Sequence, residues 1–218
     1  KYIKNIVSRQ KLPEAILFDF DGVLVDSMHI RDLGYREIFK DFSPNLVNQL
    51  IKYHRINGGL SRYVKIRYFY EKLLGREISE KKVNQLAEQF SAIMRSKLKD
   101  RSIVINEALS FVKRCYDKVP LHIVSGSEQD ELRCVCEYIE IESYFLTIEG
   151  SPIPKNELVS SILSSYGYDP ENTILIGDTI NDYDAAKSNK VIFYAYNNGS
   201  MKDLCNRYIY SFDEVFFN

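Results

Sequence analysis

The sequence has no tryptophan, only three histidines and four cysteines, and no apolar run approaching the ~20 residues of a bilayer-spanning helix. No membrane association is expected. The opening stretch, KYIKNIVSRQKLPEA, lacks the long apolar segment of a secretory signal. It also lacks an initiator methionine, so the expectation is of a chain trimmed or processed at its start. Cys115, Cys134, Cys136 and Cys205 are too sparse for a disulfide-stapled scaffold, and their spacing does not suit a metal site. Reduced thiols in a cytoplasmic protein are expected. His29, His54 and His122 are scattered, and His122, inside a strand-like run, reads as structural. No internal repeat or low-complexity segment is present.

What is there is ordinary for a globular protein: 45% hydrophobic and 27% charged residues in 218. The length suits one sizeable core, or a core with a modest insertion. A net charge of −1 conceals a division. Residues 27–100 hold 15 Lys and Arg against 8 Asp and Glu, a surplus of seven, while the remainder carries −8. The positive residues are spread over several helical patterns and mixed with acids. They read as a solvated face, and no nucleic-acid partner is expected.

Short apolar runs recur at 15–20, 119–126, 144–150, 173–178 and 191–196, with helix-length patterns at 127–139, 155–167 and 180–189. Strands alternating with helices predict an α/β fold with a parallel sheet covered on both faces. About ninety residues separate the first run from the second. Most of that interval is helical in pattern: Ser43-Pro44 opens one helix, Gly58-Gly59 turns into another that ends at Gly75, and Val83, Leu86, Phe90, Ile93 and Leu98 form a stripe. The expected organisation is a core of residues 1–26 and 101–218 with a helical insertion over 27–100.

Parallel strands bring their carboxyl ends to one edge, where ligands bind in open α/β sheets. Three runs end there in a polar residue: AILF in Asp19, LHIV in Ser125 and ILIG in Asp178. Asp19 and Asp21 flank a single residue, a crowding of charge that a hard cation such as Mg²⁺ would relieve. Asp178, Asp182 and Asp184 have an alternative use in capping a helix, and Ser127, Glu128 and Asp130 read as a capping box. Lys155 opens a helix, where a cation meets the dipole unfavourably, so it is expected to face the carboxylates and a bound anion. A cation, a hydroxyl and a lysine around a carboxylate suit phosphoryl transfer.

These residues resemble the motifs of the haloacid dehalogenase superfamily. DFDGVLVDS is similar to its nucleophile motif, Ser125 to its second, Lys155 to its third and GDTINDYDAA to its acidic fourth, together covering nearly the whole chain. Pro152 and Pro154 precede Lys155, whereas the family lysine is often followed by proline. The helical insertion resembles the small cap of the phosphoglycolate phosphatase and β-phosphoglucomutase branch, on a Rossmann-like core. The resemblance implies Asp19 as nucleophile and Asp21 as general acid and then base. It implies Mg²⁺ held by Asp19, the Asp21 carbonyl and Asp178, with Asp182 supporting the metal shell or orienting Lys155. Ser125, Gly126 and Lys155 would bind the phosphoryl group, and Gly22 would permit a turn that aims backbone N–H groups at it.

The function so implied is a Mg²⁺-dependent phosphatase acting on a small phosphorylated metabolite through an aspartyl phosphate. The alternative is a phosphomutase acting on a sugar phosphate. A monomer is expected. Substrate choice is expected from HRINGGLSRY: His54, Arg55, Ser61 and above all Arg62, whose guanidinium suits carboxylate or phosphate.

Overall fold

The computed structural model describes residues 12–215; residues 1–11 and 216–218, which the sequence assigns to the core, lie outside the described residues. Six parallel strands form one sheet, in the order β3-β2-β1-β4-β5-β6. They are β1 (Ala15–Phe18), β2 (Leu121–Glu128), β3 (Thr147–Ser151), β4 (Thr173–Gly177), β5 (Ile192–Tyr196) and β6 (Tyr208–Ile209). β6 is two residues long, too short for a run to reveal. β3 begins three residues later than its apolar run, because Glu142–Tyr144 makes a tight helical turn instead.

Alternation along each strand sends side chains to two cores. Ile16, Phe18, Ile123, Ile174 and Ile176 face the helices α5 (Asn106–Cys115) and α6 (Gln129–Tyr138). Ala15, Leu17, Val124 and Leu175 face α7 (Lys155–Tyr166) and α8 (Ile180–Asn189). With both faces covered, all four residues of β1 are buried. His122 lies in this framework, its ring nitrogens meeting Thr147 Oγ1 at 2.8 Å and Tyr168 Oη at 3.2 Å. The four cysteines are free.

Between β1 and α5 come α1 (Met28–Ile38), α2 (Pro44–Ile56), α3 (Arg62–Tyr68) and α4 (Glu80–Lys97). α3 continues as a wider helical turn over Phe69–Leu73. Ser61 and Ser79 cap α3 and α4 with their side chains, whereas Ser43 precedes α2 without a side-chain hydrogen bond. An aromatic cluster holds these helices together: Phe39 stacks on Phe69 at 4.1 Å between centroids, flanked by Phe42 and Tyr70. The chain leaves and re-enters the sheet layer through paired segments. Asp26 N–H donates to Ile103 O (2.7 Å), and Ile105 N–H donates to Leu24 O (2.9 Å). No helix of the described residues is long and apolar enough to cross a membrane.

Phe39 is fully buried, whereas Leu33 on α1 is 49% exposed. Phe39→Ala should lower unfolding free energy by about 3–5 kcal/mol, and Leu33→Ala by less than about 0.5 kcal/mol. Urea denaturation of both variants checks this contrast.

Candidate active site

Pairing fixes the height of each functional residue. Phe18 lies level with Ile123 on β2 and Ile176 on β4, so Asp19 leaves β1 beside the ends of both neighbours. Asp19 N–H continues the ladder by donating to Ile176 O at 2.9 Å. Chain order reverses direction across β1 and β4, and the crevice there is where open α/β sheets bind ligands.

Asp19, Asp178 and Asp182 each bring a carboxylate oxygen within 4.8 Å of the others. Lys155 Nζ enters the cluster, donating to Asp19 Oδ1 at 2.8 Å and to Asp182 Oδ1. The lysine thus faces the carboxylates from the start of α7, as its awkward place on the helix dipole suggested. Asp182 Oδ2 accepts from Thr179 N–H (2.9 Å) and Thr179 Oγ1 (2.6 Å), closing a capping box on α8. Asp182 therefore caps a helix and orients Lys155 at once, while Asp184 is exposed.

Three carboxylates against one ammonium leave a formal −2. Burial, with Asp182 beside it, pushes Asp19 up to about 7 despite Lys155. Burial, then Asp19 and Asp182, push Asp178 well above the usual carboxylate range. Asp178 Oδ1 is buried without a hydrogen-bond partner among the described residues. A hard divalent cation fits this all-oxygen donor set and its charge, and Asp19 and Asp178 are the carboxylates with oxygen to offer.

Gly22 makes this packing possible. Its φ is +83°, and a Cβ there would lie 2.1 Å from Asp178 Oδ2. The expected turn is present, but Gly22 N–H donates to Val25 O (2.8 Å) rather than pointing free towards an anion. The turn also separates the two aspartates of DFD. Asp21 lies outside the acidic cluster and faces the helical insertion: Oδ1 accepts from Arg31 Nε (2.7 Å) and Ser27 Oγ, and Oδ2 from Ser127 Oγ (2.7 Å). Burial alone would raise its pKa; the charge and hydrogen bond of Arg31, with the two serines, outweigh that and hold it below the usual range.

Ser127 is thus misread by the capping-box pattern. β2 runs on to Glu128, and Glu128 caps α6 by accepting from Asp130 N–H (3.2 Å) and Glu131 N–H (2.9 Å). This frees Ser127 to bond Asp21, 106 residues away. Ser125, expected at a strand end, is buried within β2, its Oγ accepting from Ser127 N–H at 3.1 Å. Gly126 lies under the insertion's glycine turn; a Cβ on it would approach Gly59 O to 2.4 Å. Gly58 and Gly59 in turn press on Thr179 and Asn181.

The positive insertion is not wholly a solvated face. Arg31, Arg62 and Lys65 are 5%, 3% and 2% exposed. They surround a cavity of about 20 Å³, room for about one water, with Asp21, Ser127, Gly126 and His54. Arg62 pairs with the fully buried Glu131 of α6 at 2.7 Å and lies over the Phe90 ring. His54 lines the same cavity, and burial, then Lys65 and Arg31, drive its pKa well below 6.5. Arg55 is not brought to the site: its side chain is 62% exposed and pairs with Asp32 at 2.5 Å. Sequence reasoning missed Arg31, Lys65, Ser127 and Glu131. The available signal was a charge on an apolar stripe, since Arg31 precedes Tyr35 by four positions and Lys65 precedes Phe69 by four, all four side chains buried. A larger cleft of about 280 Å³ opens beside Lys155, between Gly59–Val64 and Ser151–Asn156.

Residues 16–196 match the sequence pattern of a family described as haloacid dehalogenase-like hydrolase. A phosphorylated carbohydrates phosphatase of Thermotoga maritima is 25% identical over 180 residues, 80% of this chain and 81% of that one. A phosphoglycolate phosphatase of Nitrosococcus oceani is 26% identical over 201 residues, 87% and 88% of the two chains. Among solved structures, β-phosphoglucomutase from Clostridium difficile superposes with a TM-score of 0.77 at 18% identity, covering 94% of each chain.

Ionised Asp19 and Asp178 are disfavoured in the fold relative to the unfolded chain. That penalty is absent below their ordinary range near 4 and, for Asp19, complete above about 7. Their contribution to stability in metal-free protein should therefore fall as pH rises from about 4 to about 7. Mg²⁺ should raise Tm more at pH 7.5 than at pH 5, and Asp178→Asn should remove most of that rise. Differential scanning calorimetry reads both.

Proposed function

The chain belongs to the haloacid dehalogenase-like hydrolases, and we propose that it hydrolyses the phosphomonoester of a small metabolite through a phosphorylated Asp19. The observation that carries this reading is the pairing of one buried carboxylate with one buried ammonium at the strand end, Asp19 with Lys155 at 2.8 Å. Lys155 holds charge where phosphoryl oxygens would gather, and Ser125 and Gly126 flank the same strand end. Asp19, the Asp21 carbonyl and Asp178 are the groups to hold Mg²⁺, which when bound neutralises phosphoryl charge and favours ionised Asp19.

Chemically, an Asp19 oxygen attacks phosphorus and the bond to the leaving oxygen breaks. That oxygen takes a proton from Asp21; Asp21 then removes a proton from the water that attacks the acyl phosphate, and Asp19 is regenerated with release of inorganic phosphate. Helices α1–α4 act as the cap. Arg62 and His54 border the leaving-group side and are assigned to substrate recognition; Ser61 serves as the cap of α3 and borders the larger cleft. Four free thiols fit a reducing, cytoplasmic setting.

With Mg²⁺ and a panel of phosphomonoesters, the protein should release inorganic phosphate from at least one alkyl ester. Asp19→Asn, nearly the same shape, should fall to background with its circular dichroism unchanged. Wild-type turnover by that variant would refute the assignment. An isomerised sugar phosphate as the product, in place of inorganic phosphate, would make the enzyme a mutase.

A further inference from the structure

The acidic cluster joins the turn after β1 to the turn after β4, and a third turn, after β5, closes on both. Ala195 on β5 lies level with Gly177 on β4, so the residues that follow β5 emerge beside Asp178. Asn197 has φ +56°, a left-handed conformation that asparagine tolerates better than most side chains. From there Asn197 Nδ2 reaches past β4 to donate to Gly22 O at 3.0 Å, and Asn198 Nδ2 donates to Asp178 O at 2.7 Å. The direction of the Asn198 amide is fixed. Its Oδ1 accepts from Ser200 N–H (3.2 Å) and Ser200 Oγ (2.8 Å), and a backbone N–H can meet only the oxygen end of an amide.

The two amides grip main-chain carbonyls and leave the carboxylates alone. Asp178 Oδ1 keeps no hydrogen-bond partner among the described residues, and the glycine turn packs directly on Asp178 Oδ2. Asp21 C=O and Gly22 N–H share one planar peptide, and that N–H donates to Val25 O at 2.8 Å. With Gly22 O held by Asn197, both peptides of the glycine turn have a set direction. Asp19, Asp178 and Asp182, when ionised, repel one another around Lys155 and push the turns apart. The asparagines resist that repulsion without occupying an oxygen that a cation needs.

We propose that Asn197 and Asn198 are positioning residues for the divalent cation, which set the spacing between the glycine turn after β1 and Asp178 after β4. Both act through the main chain, and neither is a metal ligand. Their effect falls on selectivity as well as on affinity. Mg²⁺ demands near-ideal octahedral geometry and short bonds, so its binding depends on a fixed spacing of oxygens from the two turns. Ca²⁺ accepts longer bonds and irregular geometry, and depends on that spacing less. The amides therefore bias an all-oxygen site towards the smaller ion. The inference rests on the proposed function only in taking Asp19, Asp178 and the Asp21 carbonyl as the cation's ligands.

A double variant, Asn197→Gly with Asn198→Ser, tests it. Glycine keeps the left-handed backbone and serine keeps a cap for the turn at Gly199–Asp203, while both amides are lost. Isothermal titration calorimetry with Mg²⁺ alone and with Ca²⁺ alone reads the affinities, counting only the binding that Asp178→Asn abolishes. Mg²⁺ affinity should fall by about 10-fold or more, within what loss of such outer partners typically costs, and the ratio of Mg²⁺ to Ca²⁺ affinity should fall with it. Asn198→Ser alone should move the ratio the same way by less, and serves where the double variant does not fold. A merely structural role would weaken both ions by one factor. An unchanged ratio, an unchanged Mg²⁺ affinity, or wild-type protein that binds Mg²⁺ no better than Asp178→Asn overturns the proposal. Should the ratio shift as expected while wild-type protein hydrolyses no phosphomonoester, the positioning role stands and the proposed function falls.

Discussion

Two carboxylates one residue apart at the end of a buried strand need separate cations, and the rest of the site follows from where those cations come from. Asp19 takes Lys155, from the start of α7 in the core. Asp21 takes Arg31, from α1 in the helical insertion. The left-handed Gly22 sends the chain round so that the second carboxylate leaves the first behind and Asp178 can pack against the turn. Removing one partner from such a buried pair typically destabilises by about 3–5 kcal/mol, since an uncompensated charge remains. The same requirement therefore ties the ends of β1 and β4 to the start of α7, through Lys155.

Helices α1–α4 are bound to this arrangement by charge as well as by packing. Glu131, fully buried at the start of α6, accepts Arg31 from α1 and Arg62 from α3. Close backbone approach completes the seam, with Gly126 under the carbonyl of Gly59. The hydrogen-bonded crossing segments at Leu24–Asp26 and Ile103–Ile105 are where the chain leaves and re-enters the sheet layer.

Much of this was legible in the sequence because it is local. Apolar runs ending in Asp19 and Asp178 marked the ends of β1 and β4, which parallel pairing sets side by side, whereas the run ending in Ser125 stops three residues short of the end of β2. Lys155 stood out because its place on the helix dipole was unfavourable without a distant partner. The misreadings share one cause, partners far away in the chain. Ser127 followed by acids imitates a capping box, but its hydroxyl answers to Asp21 and Arg31, 106 and 96 residues away. Arg31 and Lys65 looked like ordinary positive residues of a helical insertion, since what buries them, α6 and the glycine turn, is not visible in their own helices. Arg55, one position from the buried His54, turns outward for the same helical reason that His54 turns in.

The central claim is that Asp19, and no other carboxylate of the cluster, takes the phosphoryl group. The direct measurement is mass spectrometry of peptides from enzyme quenched in acid during turnover, using Asp21→Asn so that the acyl phosphate accumulates. The account predicts the mass of one phosphoryl group on the peptide that contains Asp19, with fragmentation placing it on that residue. Phosphoryl label on Asp178 or Asp182, or phosphate released under the same conditions with no labelled peptide at any time, would contradict it.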